Sequence, residues 1–127
     1  LLHWWQEGAT VLVASDRRAV EIEDTELEQE TEVFGYCHLE RRPWQRAGWI
    51  EHFIVGRPYR RQGIGTALIK AAQAWGRHHG LQRLMVALQT KNYPGISFCE
   101  KHGFGFCGFH DDYFVNRDIA LFFSLRI

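Results

Sequence analysis

The sequence predicts an α/β (α+β) fold: a mixed, mostly antiparallel β-sheet with a central parallel β-α-β unit and helices on both faces. The first observation is a helical spacing of apolar residues over 64–79, between two strand-like apolar runs at 49–55 and 84–88. Strands connected through a helix in this order pair in parallel by a right-handed crossover. The second observation is that β-rich, hairpin-like segments flank this unit at 10–39 and 104–127, which predicts antiparallel neighbours.

The first half of the chain predicts three strands. Residues 10–14 are a short β-rich run, residues 33–39 are the returning strand, and residues 49–55 are the third strand. This third strand must end before Pro58, because proline lacks the backbone N–H that a sheet requires. Residues 1–5 look like the last turn of a helix with no start signal before it, so we expect that an N-terminal strand and helix are missing.

The second half predicts two helices and three strands. The helix over 64–79 is followed by a glycine, a common C-terminal stop. A buried strand follows at 84–88, and a second, short helix at 95–102 also ends at a glycine. Residues 104–109 and 119–127 then alternate like two antiparallel strands. At 127 residues the chain predicts a single domain over 1–127, with no room for a second core.

Composition excludes several function classes. Three cysteines and seven histidines show no metal-ligand spacing, which predicts that no metal is bound. No apolar run approaches the ~20 residues that a membrane span needs, and no signal peptide is recognisable, so a cytoplasmic, reducing setting is the expectation. The net charge is zero and no basic stripe carries interleaved aromatics, which argues against a nucleic-acid partner.

Charge is nevertheless distributed unevenly along the chain. Residues 1–56 carry 5 Lys/Arg and 11 Asp/Glu, a balance of −6, and residues 57–127 carry 10 and 4, a balance of +6. This distribution suits a protein that holds an anion with one half and faces a cation with the other. Two ordinary solvated surfaces would produce the same pattern. The acidic run at 21–32 is typical of a solvated hairpin end.

The strongest motif is the segment Arg60-Arg61-Gln62-Gly63-Ile64-Gly65-Thr66, which lies between a strand and a helix. The free N–H groups and dipole of a helix N-terminus bind anions, and the two glycines let a pyrophosphate approach the backbone. A Walker A motif is absent, and the dinucleotide fingerprint lacks its third glycine. The spacing instead matches the Arg/Gln-x-x-Gly-x-Gly/Ala loop that binds the pyrophosphate of coenzyme A.

With this loop, the sequence resembles the GNAT superfamily of N-acetyltransferases. The segment "IEHFIVGRPYRRQGIGTALIK" is similar to the fourth strand, pyrophosphate loop and third helix of that fold, and "NYPGISFCEKHGF" is similar to its second motif. The C-terminal half further resembles streptothricin acetyltransferases, which acetylate a cationic antibiotic. The resemblance implies acetyl-CoA as acyl donor substrate and a cofactor site made of Phe53, Ile54, Val55, Arg60, Arg61, Gln62, Gly63, Ile64, Gly65, Thr66, Asn92 and Phe98.

Three residues are candidates for the chemistry. Acetyl transfer needs a neutral amine, a polarised thioester and a proton for the departing thiolate. The resemblance places the acetyl group near the end of the third strand, where Glu51 and His52 lie on opposite faces by alternation. Glu51 is the preferred base, acting through water. Cys99 occupies the position where the family commonly has the tyrosine that protonates the thiolate, and Tyr93, Tyr113 or water are alternatives to it.

Two functions remain open at the level of sequence. The first is an N-acetyltransferase for a primary amine of a small cationic acceptor, working by direct attack in a ternary complex. The alternative is a catalytically weak or inactive domain of the same fold that binds acyl-CoA as a regulatory module, which the replacement of tyrosine by Cys99 favours. An incomplete N-terminus would leave a sheet edge uncovered, and this predicts either a homodimer or an upstream segment that covers the edge.

Overall fold

The computed structural model describes residues 2–3, 9–15, 32–60 and 62–127, and these residues form one mixed sheet with two helices. The elements are β1 (Leu2–His3), β2 (Ala9–Ser15), β3 (Val33–Arg42), β4 (Ala47–Val55), α1 (Ile64–His78), β5 (Arg83–Gln89), α2 (Tyr93–Lys101), β6 (Gly105–His110) and β7 (Ala120–Arg126). The strand order is β1-β2-β3-β4-β5-β7-β6. Among the described strand pairs only β4 and β5 are parallel, as the β-α-β prediction requires.

The predicted mixed sheet is confirmed. Both helices end just before the glycines that were predicted to stop them. Gly80 and Gly103 have φ angles of 72° and 90°, the left-handed conformation that ends a helix. The second helix begins two residues earlier than predicted, because Asn92 caps it and Pro94 is accommodated in its first turn. Neither helix in the described part of the chain has the length and apolarity to cross a membrane.

The helical prediction for residues 1–5 was wrong where the structure describes them. Leu2 and His3 pair in antiparallel fashion with Ala14 and Val13. A segment this short carries too little periodicity to distinguish a helix end from a strand, and its pairing partner decides the outcome. The other residues of that segment, and the acidic run at 21–32 except for its last residue, lie outside the described residues.

The core lies on one face of the sheet, beneath both helices. Leu68, Ala72 and Trp75 of α1 pack with Leu39 of β3 and Leu84 of β5. Full burial of each leucine contributes roughly 1.5–3 kcal/mol. Cys99 of α2 joins this same buried cluster. The predicted helices on both faces are therefore found on one face only in the described residues, because the end of α2 contacts the first turn of α1.

At Gly48, in this core, there is no room for a side chain larger than the hydrogen of glycine. A Cβ atom added to Gly48 of β4 would overlap the indole ring of Trp75, and would also lie 3.3 Å from a methyl group of Leu81. Trp75 is itself buried, so the ring has little room to move away. Gly48 therefore lets α1 approach the sheet closely enough to bury this tryptophan.

We expect Gly48→Ala to lower the free energy of unfolding by about 1–3 kcal/mol through overpacking against Trp75. The matched control is Gly105→Ala, because no atom lies within 4 Å of a Cβ at that strand position. The control should change stability by less than about 0.5 kcal/mol. Urea unfolding of the two variants measures the difference, and equal stabilities would contradict the close packing of Trp75 on Gly48.

Candidate active site and cofactor cleft

Strands β4 and β5 are paired over only part of their length. Ala47 to Ile50 of β4 pair with Arg83 to Val86 of β5, and no pairing between these two strands continues beyond Ile50 and Val86. From there β4 continues along β3 to Val55, and β5 continues along β7 to Gln89. The two strands thus part from one another, and backbone groups on the facing sides of both are left without a strand partner.

A β-bulge in β4 coincides with this separation. The β3–β4 register shifts so that Leu39 is opposite Ile50 and His38 is opposite His52, which leaves Glu51 as the additional residue. Bulges bend and twist the strand that contains them. Because Cys37 is opposite Phe53, the bulge also brings Ile50 and Phe53 to the same face of the sheet, although they are three residues apart.

A cleft of about 600 Å³ opens where the strands part. Its walls are mainly apolar, and they come from the ends of β4 and β5, from the start of α1 and from α2. The structure brings together eight of the residues predicted from sequence. These are Phe53, Ile54, Val55, Arg60, Gly65, Asn92, Phe98 and Cys99. The sequence prediction missed the apolar residues Ile50, Ile69, Val86, Leu88 and Phe104, whose only signal was their membership of buried elements.

The glycine-rich loop forms the mouth of this cleft. Gly63 precedes α1 with a φ of 79° and provides no side-chain cap, so the first N–H groups of the helix are not capped by a side chain. A Cβ added to Gly63 would meet no atom within 4 Å. The space outside the helix N-terminus is therefore open to an anion. Arg61 lies outside the described residues.

Other loop residues are held by backbone contacts. The Arg60 guanidinium donates from Nε to the Val55 carbonyl at 3.2 Å, and the Gln62 amide donates to the Pro58 carbonyl at 3.2 Å. A Cβ on Gly65 would lie 3.0 Å from the Phe98 ring, so Gly65 permits α2 to approach α1. Ile64 and Thr66 complete the first turn of α1.

Asn92 has a structural role at the opposite wall of the cleft. Its side-chain Oδ1 accepts a hydrogen bond from the Gly95 N–H at 3.0 Å, which caps α2. The Phe98 ring on the same helix packs against Phe53 with a centroid separation of 5.2 Å. Asn92 and Phe98 therefore fix the position of α2 relative to β4, and both also line the cleft.

Cys99 lies at the inner end of α2, where it lines the cleft and is almost fully buried. Burial, together with the nearby Glu100 carboxylate, raises the pKa of the Cys99 thiol to about 11. The thiol is therefore protonated at neutral pH. A protonated buried thiol is a poor nucleophile, which argues against an acyl-cysteine intermediate.

Glu51 and His52 lie on the side of the sheet away from the helices, and the prediction that they point to opposite faces was wrong. His52 stacks on His38 with ring centroids 5.5 Å apart. The Glu51 carboxylate is 3.6 Å from the Arg42 guanidinium, which lies over the Trp49 ring at 4.3 Å. The bulge at Glu51 interrupts the alternation on which the prediction was based.

The face that carries Glu51 is aromatic as well as charged. Trp49 donates from Nε1 to Gln45 at 2.7 Å and meets the Phe122 ring edge-on at 5.8 Å. Tyr113 packs on the same phenylalanine at 5.3 Å. Side chains from β4, β7 and the β6–β7 connection thus surround the outer side of the gap between β4 and β5.

We expect the buried thiols to resist alkylation in the folded protein. The pKa values of Cys99 and Cys37 are raised by burial to about 11 and about 12, so both remain protonated up to strongly alkaline pH. Cys107 is exposed. Iodoacetamide at pH ~8 should modify Cys107 alone, as measured by peptide mass spectrometry, and should modify all three in denaturant. Rapid alkylation of Cys99 in the folded chain would contradict its protonated, buried state.

Two known proteins are similar to this chain in sequence. Streptothricin acetyltransferase A of Bacillus subtilis is 34% identical over 64 residues, which are 50% of this chain and 37% of that protein. Aminoglycoside N(6')-acetyltransferase type 1 of Klebsiella aerogenes is 32% identical over 72 residues, which are 52% of this chain and 47% of that protein. The aligned part of this chain therefore spans less than half the length of either curated relative.

Solved structures agree at the level of the fold. A nourseothricin acetyltransferase superposes with a TM-score of 0.77 at 22% identity, over 94% of this chain and 65% of that one. A Bacillus anthracis protein described as a streptothricin acetyltransferase, in complex with acetyl coenzyme A, gives 0.75 at 22%, over 96% and 64%. Residues 3–104 match the model of the acetyltransferase (GNAT) family. The chain therefore belongs to the GNAT acetyltransferase family.

Proposed function

We propose that the chain is an N-acetyltransferase that moves the acetyl group of acetyl-CoA to a primary amine of a small, cationic acceptor in a ternary complex. The observation that carries the proposal is the gap between β4 and β5. On the helix side it opens into an apolar cleft that ends at an uncapped helix N-terminus. On the other side it is bordered by a carboxylate, at Glu51, and by aromatic rings.

The helix side of the gap suits the acyl donor. The pyrophosphate would be held by the first N–H groups of α1 and by Arg60, since a helix N-terminus and a guanidinium both favour phosphate. The apolar cleft walls, including Phe53 and Phe98, suit the pantetheine arm. After Ile50, the N–H and C=O groups on the β5 side of β4 have no partner in β5. They are therefore available to the amide groups of the pantetheine arm.

The open side of the gap suits the amine. The amine nitrogen would attack the carbonyl carbon of the thioester, form the new C–N bond and break the C–S bond. The Glu51 carboxylate would take the amine proton through water, because Glu51 directly follows Ile50, the last residue of β4 that pairs with β5. The names of the two curated relatives specify streptothricin and aminoglycosides as acceptors, which supports an amine-bearing antibiotic as the substrate class.

Cys99 is a poor source of the proton that the departing thiolate needs. With a pKa of about 11, this thiol is a weaker acid than an ordinary alkyl thiol, whose pKa is ~8.5, so proton transfer to the leaving thiolate would be uphill. Tyr113, which borders the open face, or water would supply the proton. Tyr93 is mostly exposed and is not among the residues that line the cleft.

The raised pKa of Cys99 also favours a second candidate function, in which the domain binds acyl-CoA without turnover. In that case the cleft and the loop are retained, and only the proton donor is lost. Binding and turnover measurements on the same preparation separate the two functions.

We expect the chain to release thiol from acetyl-CoA in the presence of polyamine, aminoglycoside or streptothricin acceptors. Replacement of Glu51 by Gln should lower kcat by about 100-fold or more while the KM for acetyl-CoA is unchanged, as for loss of a general base. The matched control is Glu40→Gln, because Glu40 also lies 3.6 Å from Arg42 but is farther from the gap along the sheet. Equal losses in the two variants would show that Glu51 acts only through Arg42, and binding without turnover would favour the regulatory module.

Two glycines with the same conformation test the pyrophosphate site. Gly63 and Gly80 have φ angles of 79° and 72°, and a Cβ at either position would meet no atom within 4 Å. Alanine at either position should cost about 1–2 kcal/mol of backbone strain. Only Gly63→Ala should also weaken coenzyme A binding, by about tenfold or more, because its Cβ would occupy the space outside the α1 N-terminus. Titration calorimetry measures this, and an unchanged affinity in Gly63→Ala would contradict the site.

A further inference from the structure

A histidine at the end of α2 is hydrogen-bonded to the first turn of α1. His102 is half-buried, and its Nε2 lies 2.9 Å from the hydroxyl oxygen of Thr66. Its other ring nitrogen, Nδ1, lies 2.8 Å from the Phe98 carbonyl oxygen. The Phe98 ring covers the imidazole with a centroid separation of 4.2 Å. His102 is therefore fixed in orientation, and it directly touches the helix end that the proposed function assigns to the pyrophosphate.

The two contacts determine where the protons lie. A carbonyl oxygen can only accept, so Nδ1 of His102 must carry a hydrogen that it donates to Phe98. In the neutral imidazole the other nitrogen, Nε2, then has only a lone pair. The Thr66 hydroxyl must donate its single proton to that lone pair. In this state the hydroxyl has no proton left to donate to an anion at the α1 N-terminus.

Protonation of His102 reverses the direction of this hydrogen bond. Both ring nitrogens then carry hydrogens, and Nε2 donates to the Thr66 oxygen. The hydroxyl proton is released and is free to be donated to a phosphate oxygen. The imidazolium also places a positive charge one side chain away from the helix end. Both changes favour a bound anion, since hydrogen bonds to charged groups are the stronger ones.

We propose that His102 is a positioning residue for the pyrophosphate of the acyl donor, which takes up a proton when the donor binds and thereby directs the Thr66 hydroxyl to the phosphate. The inference rests on the proposed function, because it needs the pyrophosphate at the first turn of α1. Protonation is favoured in the complex, so affinity is greatest at acidic pH and falls as the pH rises through the range in which imidazoles titrate.

The charged groups around His102 come from both helices and from the loop before α1. The charged groups nearest along the chain are Glu100 and Lys101 on α2, and Lys70 lies one turn beyond Thr66 on α1. Arg60 belongs to the loop before α1. In the described residues none of these forms an ion pair with His102. The bound pyrophosphate would be the new negative charge at this site.

The experiment is calorimetric binding of dephospho-CoA from about pH 5 to pH 8 in buffers of different ionisation enthalpy. Dephospho-CoA keeps the pyrophosphate and lacks the terminal phosphate monoester, whose own pKa of about 6 would otherwise add to the signal. We expect net proton uptake on binding and about tenfold tighter binding at the acidic end. Pantetheine, which lacks the pyrophosphate, should bind without proton uptake.

Variants separate this role from a structural one. His102→Gln and Thr66→Val should both give pH-independent affinity and no proton uptake, whereas Thr66→Ser should retain the parent behaviour because it keeps the hydroxyl. The control His78→Gln lies at the opposite end of α1, about 20 Å away, and should also behave like the parent. Thermal unfolding of each variant checks that it is folded.

The outcomes are distinct. Binding without proton uptake in the parent chain, or uptake that persists in both His102→Gln and Thr66→Val, would overturn the role of His102 and leave the proposed function standing. Failure of dephospho-CoA to bind at all would overturn the proposed function, and the role of His102 with it.

Discussion

The single additional residue in β4, at Glu51, is the constraint on which the rest of the site depends. The register of β3 against β4 advances by one position there, so Ile50 and Phe53 face the helices together. Without the shift, Phe53 would point to the side of the sheet away from the helices, and the cleft would lose the ring that packs on Phe98. The bulge also coincides with the end of β4–β5 pairing, and it sends the Glu51 carboxylate to the outer side. The same bulge therefore lies where the cleft opens, places Phe53 in the apolar wall of the cleft, and sets the position of the candidate base.

The two helices depend on this arrangement in turn. The Phe98 ring fills the space between Gly65 on α1 and Phe53 on β4, and it also covers His102. A side chain at Gly65 would displace this ring, because its Cβ would lie 3.0 Å away. The first turn of α1 and the C-terminal half of α2 are therefore fixed relative to each other by a few direct contacts. Such preorganisation favours binding, since less conformational freedom is lost when the ligand arrives.

Sequence reasoning succeeded where local signals are strong. The period of α1, the glycine stops and the strand-helix-strand order were sufficient for the mixed sheet and its parallel pair. The loop motif located Arg60 and Gly65 correctly at the cleft. The prediction from sequence was wrong for the orientation of Glu51 and His52, because a bulge is a property of strand pairing and not of one strand. It failed for Leu2 and His3 for the same reason, since their partner in β2 determines their structure.

The sequence motif does not reveal the contact between His102 and Thr66. In the sequence His102 is one letter between Lys101 and the closing glycine, and nothing local distinguishes it from a solvated helix end. Its partner Thr66 is 36 residues away, and only the close approach of α1 and α2 at Gly65 brings the two side chains together. The same approach buries Cys99 and raises the pKa of its thiol. Close packing of the helix ends therefore has different consequences for two side chains. It buries the Cys99 thiol, and it holds the His102 imidazole against the helix end that we propose for the pyrophosphate.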